Sequence, residues 1–151
     1  MNRDIIKIRL MYYDDFDSVV RIDKKILKGS RIEYYKQKFE RLFDTGEFLP
    51  TSLVAENEKG DVIGFIMGEL YIGEYGISQE GATIDTIGVD PDYRQKGIGE
   101  RLLNEFIDHL RDLQVQKIIT LVDKKDTQLV NYFSKNLFSQ SKTVVNLERN
   151  I

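Results

Sequence analysis

"IGVDPDYRQKGIGERLL", residues 87–103, decides how the rest of the chain is read. Gly97 and Gly99 stand one residue apart, with Arg94 and Lys96 just ahead of them. An apolar run ends at Val89, and helical spacing begins at the glycines. Phosphate oxygens want several N–H donors converging from one side. The first N–H groups of a helix have no partner within it, and the helix dipole adds about half a positive charge there. Glycine lets backbone approach without a Cβ in the way and permits positive φ. "RQKGIG" before a helix is therefore a candidate anion cradle, with two cations beside it.

Outward from this stretch, the periodicity sorts the chain into elements. Downstream, Ile98, Leu102, Leu103, Phe106, Ile107, Leu110 and Leu113 give a helix over 97–113. "KIITLV" (117–122) reads as a short buried strand, 127–138 as a helix and "TVVNLE" (143–148) as a final strand. Upstream, 82–89 is a strand, and 51–57 and 61–72 form a hairpin turning through "EKGD". Residues 14–27 and 31–43 have helical spacing, the first with Asp23 as a break. Asp14 or Asp15 is its expected N-cap, and Gly29 is expected to close it. Residues 5–11 read as the first strand. The order is β-α-α-β-β-β-α-β-α-β, an α/β chain with a mixed sheet and helices on both faces. The unit 82–122 needs a crossover, so its two strands are expected to be parallel.

The 151 residues suit one domain, 1–151. A net charge of −3 argues against a duplex nucleic-acid partner, which favours a basic excess. With no cysteine, a disulfide, a thiolate zinc site and a cysteine nucleophile are excluded. The single histidine, His109, rules out a His-rich metal centre, so no metal is expected. His109 itself reads as a half-buried packing residue. No stretch approaches a membrane span and the N-terminus does not read as a signal peptide, so a cytoplasmic location is the expectation.

Gly-x-Gly alone also suits a plain turn. The Walker pattern is absent, and the dinucleotide fingerprint would need a third glycine where Leu102 stands. Asp123 mimics the ribose-binding acid of that fingerprint, so a Rossmann-type nucleotide binder survives as an alternative on Gly97, Gly99 and Asp123. The flanks fit another pattern better. An apolar strand ends in Val89-Asp90-Pro91, the loop Arg94 to Gly99 follows, and the next helix carries Leu102 and Leu103. This resembles motif A of the GNAT N-acetyltransferase superfamily, and the element order matches that superfamily across nearly the whole chain.

The resemblance implies an acetyl-CoA-dependent N-acetyltransferase acting directly on a primary amine: a protein N-terminus, a lysine or a small amine. It implies a GNAT-like acyl-CoA N-acyltransferase fold with splayed central parallel strands, here 82–89 and 117–122. Arg94, Gln95, Lys96, Gly97, Ile98, Gly99 and Glu100 would hold the CoA diphosphate. The backbone of Ile87, Gly88 and Val89 would pair with the pantetheine arm. Asp126 and Asn131 are further polar candidates near CoA. "VNYFSKNLF" (130–138) resembles the family's second signature with two departures: Phe133 replaces the usual tyrosine and Leu137 the glycine. That tyrosine often protonates the departing thiolate, which leaves Tyr132, one position off, as the candidate, with a packed core aromatic as its alternative reading.

An amine nucleophile must lose a proton first, and a carboxylate usually takes it. One common family position for this base falls on Thr83, which cannot serve. Asp85 faces the same way as Thr83 by strand alternation, and Glu80 lies just before the strand. Asp85 and Glu80 are the candidate bases, with a structural carboxylate and a solvated loop acid as their plain readings. Glu69 is an outside candidate. Tyr34, Tyr35, Tyr71 and Tyr75 are placed around the acceptor. A CoA-binding sensor or partner module without turnover is the second reading. Oligomeric state stays open, with a homodimer admitted.

Overall fold

The computed structural model describes residues 5–44, 51–71 and 81–151. Five strands form one sheet in the order β1-β2-β3-β4-β5: β1 (Lys7–Leu10), β2 (Leu53–Glu56), β3 (Val62–Tyr71), β4 (Gly81–Val89) and β5 (Ile118–Thr120). The first three pairings are antiparallel and β4–β5 is parallel, as the hairpin and the crossover required. The helices are α1 (Phe16–Leu27), α2 (Ile32–Phe43), α3 (Ile98–Asp112) and α4 (Thr127–Lys135). The chain divides into two compact units, Met1–Thr120 and Leu121–Ile151. None of the described helices is long and apolar enough to cross a membrane.

In the first unit, α1 and α2 cover one face of the sheet. Val19, Ile22, Tyr35 and Phe39 pack with Val54, Phe65 and Met67 in a buried cluster. Helix α3 covers the other face through Ile98, Leu102, Leu103, Phe106 and Leu110, all buried. Each such side chain contributes about 2 kcal/mol of apolar burial. The α3 contact is close because β3 is bare beneath it. A Cβ at Gly64 would meet Leu102 Cδ1 at 3.1 Å, and one at Gly68 would lie 2.6 Å from Phe106 Cζ. Burial of Ile98 on β3 therefore fixes where α3 begins, and so where the glycine loop sits.

Asp23, which breaks the apolar spacing of α1, is buried at 3% exposure. It accepts hydrogen bonds from Arg31 Nε (3.0 Å), Arg31 Nη2 (2.6 Å) and Tyr35 Oη (2.8 Å). A buried carboxylate is tolerated when paired and hydrogen-bonded in this way, and here it ties α1 to α2. Burial pushes the Tyr35 hydroxyl well above its ordinary range, and the neighbouring Asp23 adds to that.

Two expectations are corrected, and the expected N-cap of α1 is met at Asp15 without a capping bond. The helix α1 ends with Lys28, not Gly29, in the left-handed conformation (φ 55°). Asp15 stands at the α1 N-cap but its carboxylate does not cap the helix; it accepts from the Tyr12 N–H (2.7 Å) and from Arg9 (2.9 Å) instead. No strand forms over 143–148, where Val145 and Leu147 are exposed. Branched residues make a segment fit for a sheet, but a strand exists only where another edge takes up its hydrogen bonds.

Within the second unit, Leu137 explains the missing glycine of the sequence pattern. It adopts φ 71°, and around it Phe138 N–H bonds Phe133 O (3.0 Å) while Leu137 N–H bonds Ser134 O (3.2 Å). This is the Schellman ending of α4, with Phe133 and Phe138 in ring contact at 5.0 Å.

Candidate active site

Two places in the first unit gather the residues singled out by sequence. The first is the turn between β4 and α3. Asp90 opens it, only 2% exposed. Its carboxylate accepts from Lys25 Nζ (2.8 Å) and the Asp92 N–H (3.0 Å), and Arg21 stands 3.6 Å away. Its own N–H donates to Ile63 O (2.8 Å), which extends the β3–β4 ladder into the turn. Pro91–Tyr93 then forms one 3-10 turn. Sequence reading used Asp90 only as the middle residue of Val-x-Pro. An acid before Pro, followed by another acid, was the signal for a capping role.

Beyond Tyr93, Gln95 (φ 65°) and Gly97 (φ 74°) are both left-handed. Residues 94–97 are exposed, whereas Ile98 is buried. No side chain caps the N-terminus of α3, and its first backbone bond within the helix is Arg101 N–H to Gly97 O. The N–H groups of Ile98, Gly99 and Glu100 thus precede the helical ladder. A Cβ at Gly97 would meet no heavy atom within 4 Å, so its glycine serves the backbone twist and leaves open space in front. Lys96 lies over the Tyr93 ring at 5.6 Å. Uncapped donors, open space and two cations make this a fit for a diphosphate.

The second place is β4 where its pairing with β5 stops. The parallel register runs Ala82–Ile118, Thr83–Ile119 and Ile84–Thr120, closed by Thr120 Oγ1 donating to Ile84 O (3.1 Å). From Asp85 to Val89, no strand among the described residues pairs with β4 on that side. The other edge stays paired with β3, including Ile66–Ile87, Phe65–Gly88 and Gly64–Val89. This leaves one edge of Ile87, Gly88 and Val89 open to an extended, amide-bearing ligand. The bare Cα of Gly88 has a packing reason as well: a Cβ there would lie 2.9 Å from Phe65 Cε1 and 3.1 Å from Ile26 Cδ1.

The register also slips here. Met67 pairs with Thr86 but Gly68 with Ile84, so Asp85 is the extra residue of a bulge. As a result Asp85 and Thr86 both turn toward α2. Asp85 Oδ2 receives Lys38 Nζ at 3.1 Å and Oδ1 receives Thr83 Oγ1 at 3.2 Å. Thr86 Oγ1 shares a hydrogen bond with Tyr34 Oη at 3.1 Å. Glu69 of β3 joins them: its Oε1 is 3.6 Å from Lys38 Nζ and its Oε2 3.4 Å from Arg41 Nη2. Lys38, Glu69 and Asp85 are all largely buried, at 17%, 14% and 16% side-chain exposure. Glu69 Oε1 is buried and receives no hydrogen bond. Lys38 had no sequence signal beyond being a lysine on a helix.

Other candidates are placed differently. Tyr35 is fully buried and bonded to Asp23, so it lines no acceptor surface. Glu80 and Tyr75 lie outside the described residues. Asp126 caps α4 by accepting from the Leu129 N–H (3.1 Å). On α4, Asn131 is exposed, Tyr132 half-buried and Phe133 buried.

The family model described as "Acetyltransferase (GNAT) family" matches residues 16–137. The chain belongs to the GNAT acetyltransferase family. Mycothiol acetyltransferase of Propionibacterium freudenreichii is 33% identical to this GNAT chain over 93 residues, 62% of this chain and 29% of that protein. N-alpha-acetyltransferase RimI of Mycobacterium tuberculosis is 44% identical over 55 residues, 32% of this chain and 35% of that protein. The matches take in about a third of the length of these curated relatives. Among solved structures, aminoglycoside N-acetyltransferase AAC(6′)-Iy in complex with CoA superposes with a TM-score of 0.76. It is 16% identical, over 99% of this chain and 98% of that one. Ard1 from Thermoplasma volcanium gives a TM-score of 0.73 at 22% identity, over 90% of this chain and 84% of that one. These likenesses support the GNAT fold expected from motif A.

Proposed function

We propose that this GNAT domain transfers an acetyl group from acetyl-CoA to a primary amine. The observation that carries the reading is the position of Asp85: a carboxylate projecting from β4 at the first residue beyond the last β4–β5 rung. The co-substrate supplies an acetyl group activated as a thioester. The N–H groups of Ile98, Gly99 and Glu100, with Arg94, Gln95, Lys96 and Gly97, would hold its diphosphate. The open edge of Ile87, Gly88 and Val89 would take its amide-bearing arm. Asp85 removes a proton from the acceptor ammonium, whose ordinary pKa is about 10.4 for a lysine-type amine and about 8 for a protein N-terminus. No nucleophile on the protein is needed, in keeping with a chain that has no cysteine. Tyr132 is the candidate proton donor to the leaving sulfur.

The acceptor is a primary amine: a protein N-terminus, a lysine or a small amine. The named relatives are a mycothiol acetyltransferase and an N-alpha-acetyltransferase, which supports acetyl transfer and leaves the choice of acceptor to an amine panel. A second reading, a CoA-binding module without turnover, draws support from Phe133, buried at 5% exposure where the family pattern has a tyrosine. Calorimetry with CoA and thiol release across an amine panel separate the two. The expected result is CoA uptake with turnover, and Asp85→Asn keeping uptake while losing about 10²–10⁴-fold in rate. Absence of CoA uptake by folded protein overturns both readings, and uptake without turnover on any amine leaves the second.

A further inference from the structure

Two carboxylates, Glu69 and Asp85, sit within 3.6 Å of one ammonium, Lys38 Nζ. Around Asp85 stand Lys38 of α2 and Thr83 of β4 in direct contact, with Glu69 of β3 on the far side of Lys38, Arg41 of α2 beyond Glu69, and Tyr34 of α2 bonded to Thr86. Arg41 reaches the far oxygen of Glu69 with a side chain 55% exposed. Thr83 and Thr86 carry no charge. Lys38 is thus the charge placed between the two acids, and it lies 5.8 Å from the Tyr34 ring centre, a further favourable contact.

We propose that Lys38 is a positioning residue for this reaction: its ammonium stands between the carboxylates of Asp85 and Glu69, offsets their mutual repulsion, and so holds Asp85 in place to accept the amine's proton. The inference rests on the reading of Asp85 as the base. Like charges that share a site resist joint ionisation, and an opposite charge within about 4–6 Å relieves this. Lys38 can be that fixed charge. Burial would push its ammonium down, yet the charge of Asp85, its hydrogen bond and the charge of Glu69 leave it raised. It therefore stays protonated across the range in which carboxylates titrate. Thr83 holds the other oxygen of Asp85, so the carboxylate plane is fixed from both ends.

The test compares wild type with Lys38→Met, Lys38→Gln and Lys38→Arg. Two readouts are used: kcat/KM against pH with the amine giving most thiol release, and carboxyl-carbon NMR titration of Asp85 in protein without CoA. In Lys38→Met and Lys38→Gln, the acid limb and the Asp85 carbon midpoint both move to higher pH by about one unit or more. Lys38→Arg restores both. Adding Glu69→Gln to Lys38→Met moves them back, because the facing charge is gone; a merely structural role would show no such rescue. An unmoved Asp85 midpoint in the uncharged variants overturns the role of Lys38, whatever Asp85 does. Full turnover in Asp85→Asn instead removes Asp85 as base.

Discussion

Replacing Asp90 by asparagine should cost the first unit about 2 kcal/mol near neutral pH. The magnitude follows from what the carboxylate touches. It accepts from Lys25 Nζ at 2.8 Å and the Asp92 N–H at 3.0 Å, with Arg21 at 3.6 Å, and it is almost wholly buried. A hydrogen bond to a charged group is worth about 1.5–3 kcal/mol. Asparagine keeps an oxygen for the Asp92 N–H but loses the charge facing Lys25 and Arg21. Lys25 is 37% exposed and Arg21 50%, so both regain water and the cost stays near the lower half of that range. For a chain of this size the melting midpoint should fall by about 4–8 °C.

The pH dependence makes the prediction sharper. Burial pushes the Asp90 carboxyl up, but the Lys25 bond, the Asp92 N–H and the charges of Lys25 and Arg21 together leave it below its ordinary value of 3.8. A carboxyl lowered on folding stabilises fully above its unfolded value. That stabilisation fades as pH falls through the lower, folded value. Urea unfolding of wild type and Asp90→Asn, followed by circular dichroism, should show a constant gap above about pH 5 that closes below the ordinary carboxylate range. CoA uptake should weaken in parallel, because the same carboxylate caps the turn leading into Arg94–Gly99. A gap that persists unchanged into acid, or no gap near neutrality, would refute this account of Asp90.

Gly68→Ala should destabilise by about 3 kcal/mol or more through overpacking, read by urea unfolding, because its methyl would run into Thr83 O and Phe106. Gly97→Ala should cost only about 1–2 kcal/mol of left-handed strain, with no clash in the protein, yet should weaken CoA uptake well beyond that in calorimetry. Leu137→Gly should stabilise the end of α4 by about 1 kcal/mol, seen as slower amide exchange at Leu137 and Phe138. The left-handed φ is then unstrained, and a side chain 94% exposed is lost.

Local pattern in the sequence was enough for much of this molecule. Helical spacing located α1, α2, α3 and α4, and "EKGD" located the β2–β3 turn at Gly60 (φ 82°). The strand ending at Val89 and the glycines before Ile98 marked the uncapped start of α3. These are properties of neighbouring residues: side-chain period, turn chemistry and the unpaired N–H groups of a helix start. Asp23 shows the boundary, since its place on α1 was visible but its partner Arg31 was not.

Only tertiary structure decided which distant residues meet. Lys38 and Asp85 are 47 positions apart and come within 3.1 Å because α2 lies on the face to which the β4 bulge turns Asp85. That bulge is a slip in register against β3, and register belongs to two strands, not to one. The same holds for 143–148, whose branched residues suit a strand but find no edge to pair with among the described residues. Periodicity is written into a segment, whereas ladders and ion pairs need two segments held together by the core between them.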